Sequence, residues 1–205
     1  MIICIDGYDG TGKTTLAKKL ANKYNFTYLE RPAVKMVQEK KNCSYEEARS
    51  MVQKIEKQLF ATGTKAEIAS FYLSVFVWLR KYSKEKNIVL DRGLLTTYAV
   101  VGFPETEAVF DDFIRKGAFL DGSIYLTADD EVRVKRIFAK NPNDPDLNFP
   151  KKWHENNLEE YATERHLNYS KIDTTYLTPD QVFEQADKIF QKFLKNHNLD
   201  KGRNY

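Results

Sequence analysis

The segment IICIDGYDGTGKTT, Ile2–Thr15, decides the fold. Ile2–Ile5 reads as a short buried strand, and Leu16, Ala17, Leu20, Ala21 and Tyr24 mark one face of the helix that follows. Between them, Gly7-x-x-x-x-Gly12-Lys13-Thr14 satisfies the P-loop pattern, with the strand before it and the helix after it that the pattern requires. Glycines let backbone N–H groups turn inward around an anion, and the helix N-terminus adds its positive end. Gly7, Asp9, Gly10, Thr11, Gly12, Lys13, Thr14 and Thr15 are therefore expected to hold a nucleotide's phosphates. Lys13 is expected to reach the β- and γ-phosphates, and the Thr14 hydroxyl to sit on Mg²⁺.

Such a loop leaves open whether the nucleotide is hydrolysed, used as a switch or made to donate a phosphate. IVLDRG, Ile88–Gly93, bears on this. It is an apolar strand ending in Asp91, a metal-side carboxylate, followed at once by Arg92 at the mouth where ligands bind such sheets. Motor ATPases usually carry a second acidic residue there to polarise water. Arginine instead suits bidentate clamping of a phosphate. No guanine-reading Asn-Lys-x-Asp occurs; Asn22-Lys23-Tyr24-Asn25 lacks the aspartate and falls within the first helix. Transfer to a small acceptor is the reading favoured.

Around this centre, Phe26–Leu29, Asn87–Leu90, Ser123–Leu126 and Lys171–Thr174 read as further strands. Helices are expected after Ser44 and Glu47 (a capping box), over Ile68–Tyr82, from Asp129 through Arg136 and Ile137, over Trp153–His166, and after Thr178-Pro179-Asp180-Gln181. Strands alternating with helices indicate an α/β sandwich around a mainly parallel sheet, in one domain spanning residues 1–205. Ile68–Tyr82 is apolar almost all round and must be covered on two sides, by its own domain or by a second copy.

Arg133 and Arg136 share a helix face and precede a Pro/Asn/Asp-rich patch, Lys140–Pro150. With Lys140, Lys151 and Lys152 they are expected to form a lid, about 133–152, that would fold over the phosphates, with an exposed basic helix and an irregular loop as the competing reading. Glu30 and Arg31, just past the second strand, are expected to contact the acceptor, with a solvated turn as the competing reading. Phe71 and Tyr98 are candidates to stack on a base, as are Tyr72, Phe76 and Trp78, with core packing as the alternative. His154, His166 and His197 lack metal-ligand or triad spacing.

The 32 basic and 29 acidic side chains are spread evenly, for a net charge of +3, which argues against a dedicated nucleic-acid binder. The most apolar run, Phe71–Leu79, is too short to cross a bilayer. The start MIICI lacks a basic leader, and Cys4 and Cys43 make no disulfide framework, so a cytosolic chain is expected.

These residues resemble the thymidylate kinase family of nucleoside monophosphate kinases. IDGYDGTGKTT is similar to that family's acidic-Gly-x-Asp-Gly-x-Gly-Lys-Ser/Thr-Thr, including the less common Asp9. DRGLLTTYAVVG resembles its Asp-Arg-aromatic stretch, with Gly93 in place of the aromatic. FLDGSIYLTADDEVRVKRI resembles its lid-helix entry, and IDTTYLTPDQV its last strand and helix. The resemblance implies a three-layer P-loop kinase fold with a five-stranded parallel sheet, and pairing as a homodimer through helix Ile68–Tyr82. It implies transfer of the γ-phosphoryl of Mg-ATP to a nucleoside monophosphate, dTMP first. Asp9 and Asp91 would serve the metal and acceptor side, Arg92 the acceptor phosphate, and Lys13 and Arg136 the transferring group. Two alternatives stay open: a deoxynucleoside kinase using Glu30 or Asp91 at the 5′-hydroxyl, and a regulatory protein that binds nucleotide without catalysis.

Overall fold

The computed structural model describes residues 1–102, 104–115, 121–144, 147 and 155–202. Five parallel strands form one sheet in the order β2-β3-β1-β4-β5. They are β1 (Ile2–Gly7), β2 (Thr27–Leu29), β3 (Ile88–Asp91), β4 (Gly122–Thr127) and β5 (Tyr169–Asp173). β1 is central, with Ile5 beside Asp91 on one side and Ile124 on the other. Every residue of β1 is buried, as expected for a strand covered on both faces.

The two faces feed two cores with the period of a strand. Ile2, Cys4, Ile88, Leu90 and Tyr125 pack under α4 (Lys65–Tyr82), α5 (Leu94–Val101), α6 (Glu107–Arg115) and α8 (Glu155–Glu164). Ile3, Ile5, Val89, Ile124 and Leu126 pack under α1 (Lys13–Tyr24) and α9 (Pro179–Gly202). A smaller cluster, Val34, Ala48 and Val52, joins α2 (Pro32–Lys41) to α3 (Tyr45–Thr62). The remaining helix, α7 (Asp130–Lys140), follows β4.

Local chemistry sets the helix starts. Ser44 and Glu47 form the expected capping box of α3, and Thr178 with Gln181 makes the reciprocal pair before α9. A second capping box, Thr64 with Glu67, starts α4 at Lys65 rather than at Ile68. The apolar surround of α4 is covered mainly by its own chain: Ile68, Ala69, Leu73, Val75, Phe76 and Leu79 are buried, and Val77 stands exposed.

Three helices lie outside the sequence expectation. α2 starts where Glu30-Arg31-Pro32 also read as a turn, with Pro32 at its first position. α6 carries an amphipathic stripe of Val109, Phe110, Phe113 and Ile114 that the reading passed over. α5, LLTTYAVV, is apolar on nearly every side and so has no amphipathic signature. Of the lid, residues 133–144 are the end of α7 and a turn; Lys151, Lys152, Trp153 and His154 lie outside the described residues. No helix of the described residues is long and apolar enough to cross a membrane.

Phe190 tests the α1–α9 layer. It is fully buried, stacked on Tyr24 at 4.5 Å and edge-on to Phe26 at 5.4 Å. Phe190→Ala is expected to lower the unfolding free energy by about 3–5 kcal/mol, read by urea titration.

Candidate active site

The loop between β1 and α1 turns through left-handed backbone at Gly7, Gly10 and Gly12, with φ of 136°, 83° and 98°. Sterics also demand glycine at Gly10, where a Cβ would meet the Arg133 carbonyl at 2.7 Å. Thr11 donates its hydroxyl to the Tyr8 carbonyl at 2.8 Å, and Lys13 donates to the same carbonyl at 2.7 Å. Lys13 lies 3.5 Å from Asp9 Oδ1 and is buried. Burial, then repulsion from Arg92, brings its ammonium down to about 8, against the attraction of Asp9 and Asp91.

At the adjoining strand end, Thr14 Oγ1 donates to Asp91 Oδ2 at 2.6 Å, and the Tyr28 hydroxyl donates to the same oxygen at 3.2 Å. Asp91 Oδ1 is buried and has no hydrogen-bond partner. A buried carboxylate oxygen without a donor, beside a P-loop hydroxyl, suits a hard cation that takes oxygen ligands and keeps most of its water. Among the described residues no group of three or more His, Cys, Asp or Glu side chains is gathered for a metal. Thr14 and Asp91 are thus the residues that fit Mg²⁺.

Arg92 continues the ladder through its N–H to the Ile5 carbonyl at 3.0 Å, then turns out with φ of 78°. A non-glycine residue pays for that conformation with roughly 1–2 kcal/mol. The turn directs its guanidinium onto Asp9 Oδ1, where the two pair at the cleft mouth.

Asp6 has no solvent exposure, and sequence reasoning assigned it no role. Its carboxylate accepts from the N–H groups of Gly93 and Thr96 at 2.7 and 2.9 Å, and from the hydroxyls of Thr96 and Ser123, each at 2.6 Å. Asp6 therefore caps α5 from across the sheet, supplying what a side chain at its N-cap, Gly93, cannot. Gly93 has no room for more: a Cβ would lie 2.5 Å from Cys4 Sγ and 2.8 Å from Asp6 Oδ2. The signal was a carboxylate closing a wholly apolar strand, whose lone pairs had to be filled from somewhere.

α7 is pinned on the loop. Arg133 donates to the Asp9 carbonyl at 2.9 Å and lies over the Tyr8 ring. Arg136 donates to the carbonyls of Gly10 at 3.3 Å and Thr174 at 2.7 Å. Both arginines share one face of the helix and both grip loop backbone.

These elements enclose a cleft of about 870 Å³. Of the residues singled out from the sequence, it is lined by Asp9 through Thr15, Glu30, Arg31, Asp91, Arg92, Arg136 and Lys140. Gly7 and Arg133 stand behind the loop instead of on the cleft wall. Phe71 and Tyr98 are not brought to it: Tyr98 is buried against Tyr161, rings stacked at 3.6 Å, and Phe71 packs edge-on to Tyr72. Tyr72 and Phe76, further along α4, face the cleft.

An AAA domain family model matches residues 2–188. A cytidylate kinase from Mesomycoplasma hyopneumoniae (strain 7448) is 23% identical over 226 residues, covering 93% of each chain. A probable thymidylate kinase from Methanocaldococcus jannaschii is 26% identical over 198 residues, covering 90% of this chain and 93% of the other. The structure of deoxyadenosine kinase from M. mycoides with bound dATP has the same fold, with a TM-score of 0.59 at 18% identity over 93% of this chain and 100% of that one.

The lowered Lys13 value gives a test. Phosphate oxygens beside the ammonium favour its charged form, so bound ATP raises its pKa back toward the ordinary lysine range. At about pH 8.5 binding is then expected to take up a fraction of a proton, and at about pH 6.5, where Lys13 is already charged in the free protein, this contribution vanishes. Calorimetry in buffers of different ionisation enthalpy measures the uptake, and Lys13→Met should abolish the pH 8.5 component.

Proposed function

The chain belongs to the AAA domain family, and from that premise we propose that it is a kinase passing the γ-phosphoryl of ATP to a nucleoside monophosphate. The observation that carries this reading is Arg92, held out on a strained turn beside Asp9 and within the cleft that Lys13 and Thr14 also line. A guanidinium placed there suits an acceptor that brings its own phosphate. Arg31 lines the same acceptor end and adds a second guanidinium.

Chemistry at this site is positioning and charge neutralisation. The ATP phosphates would lie along the N–H groups of Gly10–Thr15, and Lys13 would exchange the Tyr8 carbonyl for phosphate oxygens. Arg92 would exchange Asp9 for the acceptor phosphate and hold its oxygen in line with the γ-phosphorus. An acceptor phosphate oxygen then forms the new bond to that phosphorus as the bond to the β-γ bridging oxygen breaks, leaving ADP. Mg²⁺, held by Thr14 and Asp91, would supply charge neutralisation at the β- and γ-phosphates. No base is required, because the attacking oxygen is already ionised.

dTMP is the acceptor implied by the resemblance of the motifs, and a cytidine monophosphate is the one suggested by the cytidylate kinase relative. Homodimer formation belongs to the same proposal, with Val77 the exposed apolar residue on α4.

ADP release from Mg-ATP is the test, with nucleoside monophosphates and free nucleosides offered in parallel. Turnover with monophosphates is expected. Lys13→Ala should reduce it by roughly 10²-fold or more, and Arg92→Ala should raise the acceptor KM and lower kcat. Turnover with nucleosides alone would overturn the monophosphate reading and give Glu30, which also lines the cleft, the role of base at a 5′-hydroxyl.

A further inference from the structure

The acceptor end of the cleft is walled by α2, α3, α4 and α5. α2 contributes Pro32, Ala33 and Val34, α3 contributes Val52 and Glu56, and α4 contributes Tyr72, Val75 and Phe76. From α5 come Thr96, Thr97, Val100 and Val101. Most of these side chains are apolar, and the polar ones share one property.

Every hydroxyl on the wall has already given its proton to the protein. The Tyr72 hydroxyl donates to Glu56 Oε1 at 3.0 Å. Thr96 donates to Asp6 at 2.6 Å, and Thr97 to the Gly93 carbonyl at 2.9 Å. The Glu56 carboxylate accepts through Oε1, which leaves Oε2 as a further acceptor. The polar side chains that α3, α4 and α5 turn toward a ligand therefore offer acceptors alone. The guanidinium-bearing residues Arg31 and Arg92, at the N-terminus of α2 and the turn after β3, line the same cleft.

A ring edge facing this wall has to bring donors. Cytosine does so through its exocyclic amino group, which can donate to Glu56. Thymine and uracil carry their donor on N3 and place a carbonyl at the ring position of that amino group, and there the oxygen would face a carboxylate with no proton between them. We infer that Glu56, held by Tyr72, is a specificity-determining residue that selects an amino-bearing base, cytosine over thymine or uracil among the pyrimidines. The inference rests on the acceptor reading of this end of the cleft and carries it from a nucleoside monophosphate to a class of base. A site built to receive a donor rejects the analogue lacking it more strongly than apolar contacts discriminate by shape, since the mismatch leaves acceptors facing each other.

dCMP and dUMP differ only along this edge, in the group at ring position 4 and the proton on N3, which makes them the decisive pair, with dTMP as the third ligand. Calorimetric binding to the whole protein is expected to favour dCMP over both by about tenfold or more. Glu56→Gln offers an amide that donates as well as accepts, so the preference should fall below about threefold. Tyr72→Phe, which frees the carboxylate but keeps the ring, should reduce it to an intermediate value. Circular dichroism establishes that each variant is folded, and an unfolded Glu56→Gln leaves the wild-type ratio and Tyr72→Phe as the tests. Equal or tighter binding of dUMP or dTMP overturns the inference, as does an unchanged ratio in folded Glu56→Gln, or no binding of any of the three. ADP release is followed separately. Selective dCMP binding without turnover would sink the kinase reading and leave the base selection standing, whereas turnover with dTMP in preference to dCMP would do the reverse.

Discussion

A carboxylate shut away from water must have its lone pairs filled by the protein, and Asp6 fills them with groups from three separate segments. β1 supplies the acid, the turn after β3 and the first residues of α5 supply two N–H groups and a hydroxyl, and β4 supplies Ser123. The Thr96 hydroxyl passes the connection on by accepting the Gly7 N–H at 3.2 Å, so the first glycine of the phosphate loop is tied to the same point. Phosphate loop, the turn after β3 and the neighbouring strand are thereby set against one another by one side chain. That is why Arg92 can be carried on a left-handed residue: it lies between a ladder bond to Ile5 and an N–H held by Asp6.

Electrostatics follow from this geometry. Lys13, Arg92, Arg133 and Arg136 converge on one loop, and the protein answers each with an acceptor it can give up or keep. Backbone carbonyls hold Arg133 and Arg136, so these two fasten α7 down. Lys13 and Arg92 rest partly on Asp9, a carboxylate that a phosphate can replace. Two cations with exchangeable partners lie beside two with fixed ones, which is the arrangement a polyanion-binding loop needs if it is to stay shaped and still release its ligand.

Much of this was legible in the chain because it is local. A strand, a Gly-rich turn and a helix are contiguous, so Gly7 to Thr15 announce phosphate binding without tertiary help. The capping boxes at Ser44 and Thr178 are legible for the same reason, since both partners lie three residues apart. Asp91 and Arg92 could be placed at a strand end from the apolar run before them. The stripe of α6 was present in the sequence and overlooked.

What stayed hidden depends on residues far apart. α5 has an apolar surround and glycine at its cap, so nothing within Leu94–Val101 marks it as a helix; its cap is a carboxylate 87 residues away. Gly93 looked like a lost aromatic and is instead the one residue that fits against Cys4 and Asp6. Aromatic identity alone could not sort Tyr98, buried on Tyr161, from Tyr72, which faces the cleft, because helical phase and the packing of neighbours decide which side meets the ligand. Sequence determined the phosphate loop and the alternation of strands and helices, since those are set by neighbours along the chain. The tertiary structure decided how Arg92 is aimed and which polar atoms line the cleft, because both are set by hydrogen bonds whose partners meet only when the sheet is assembled.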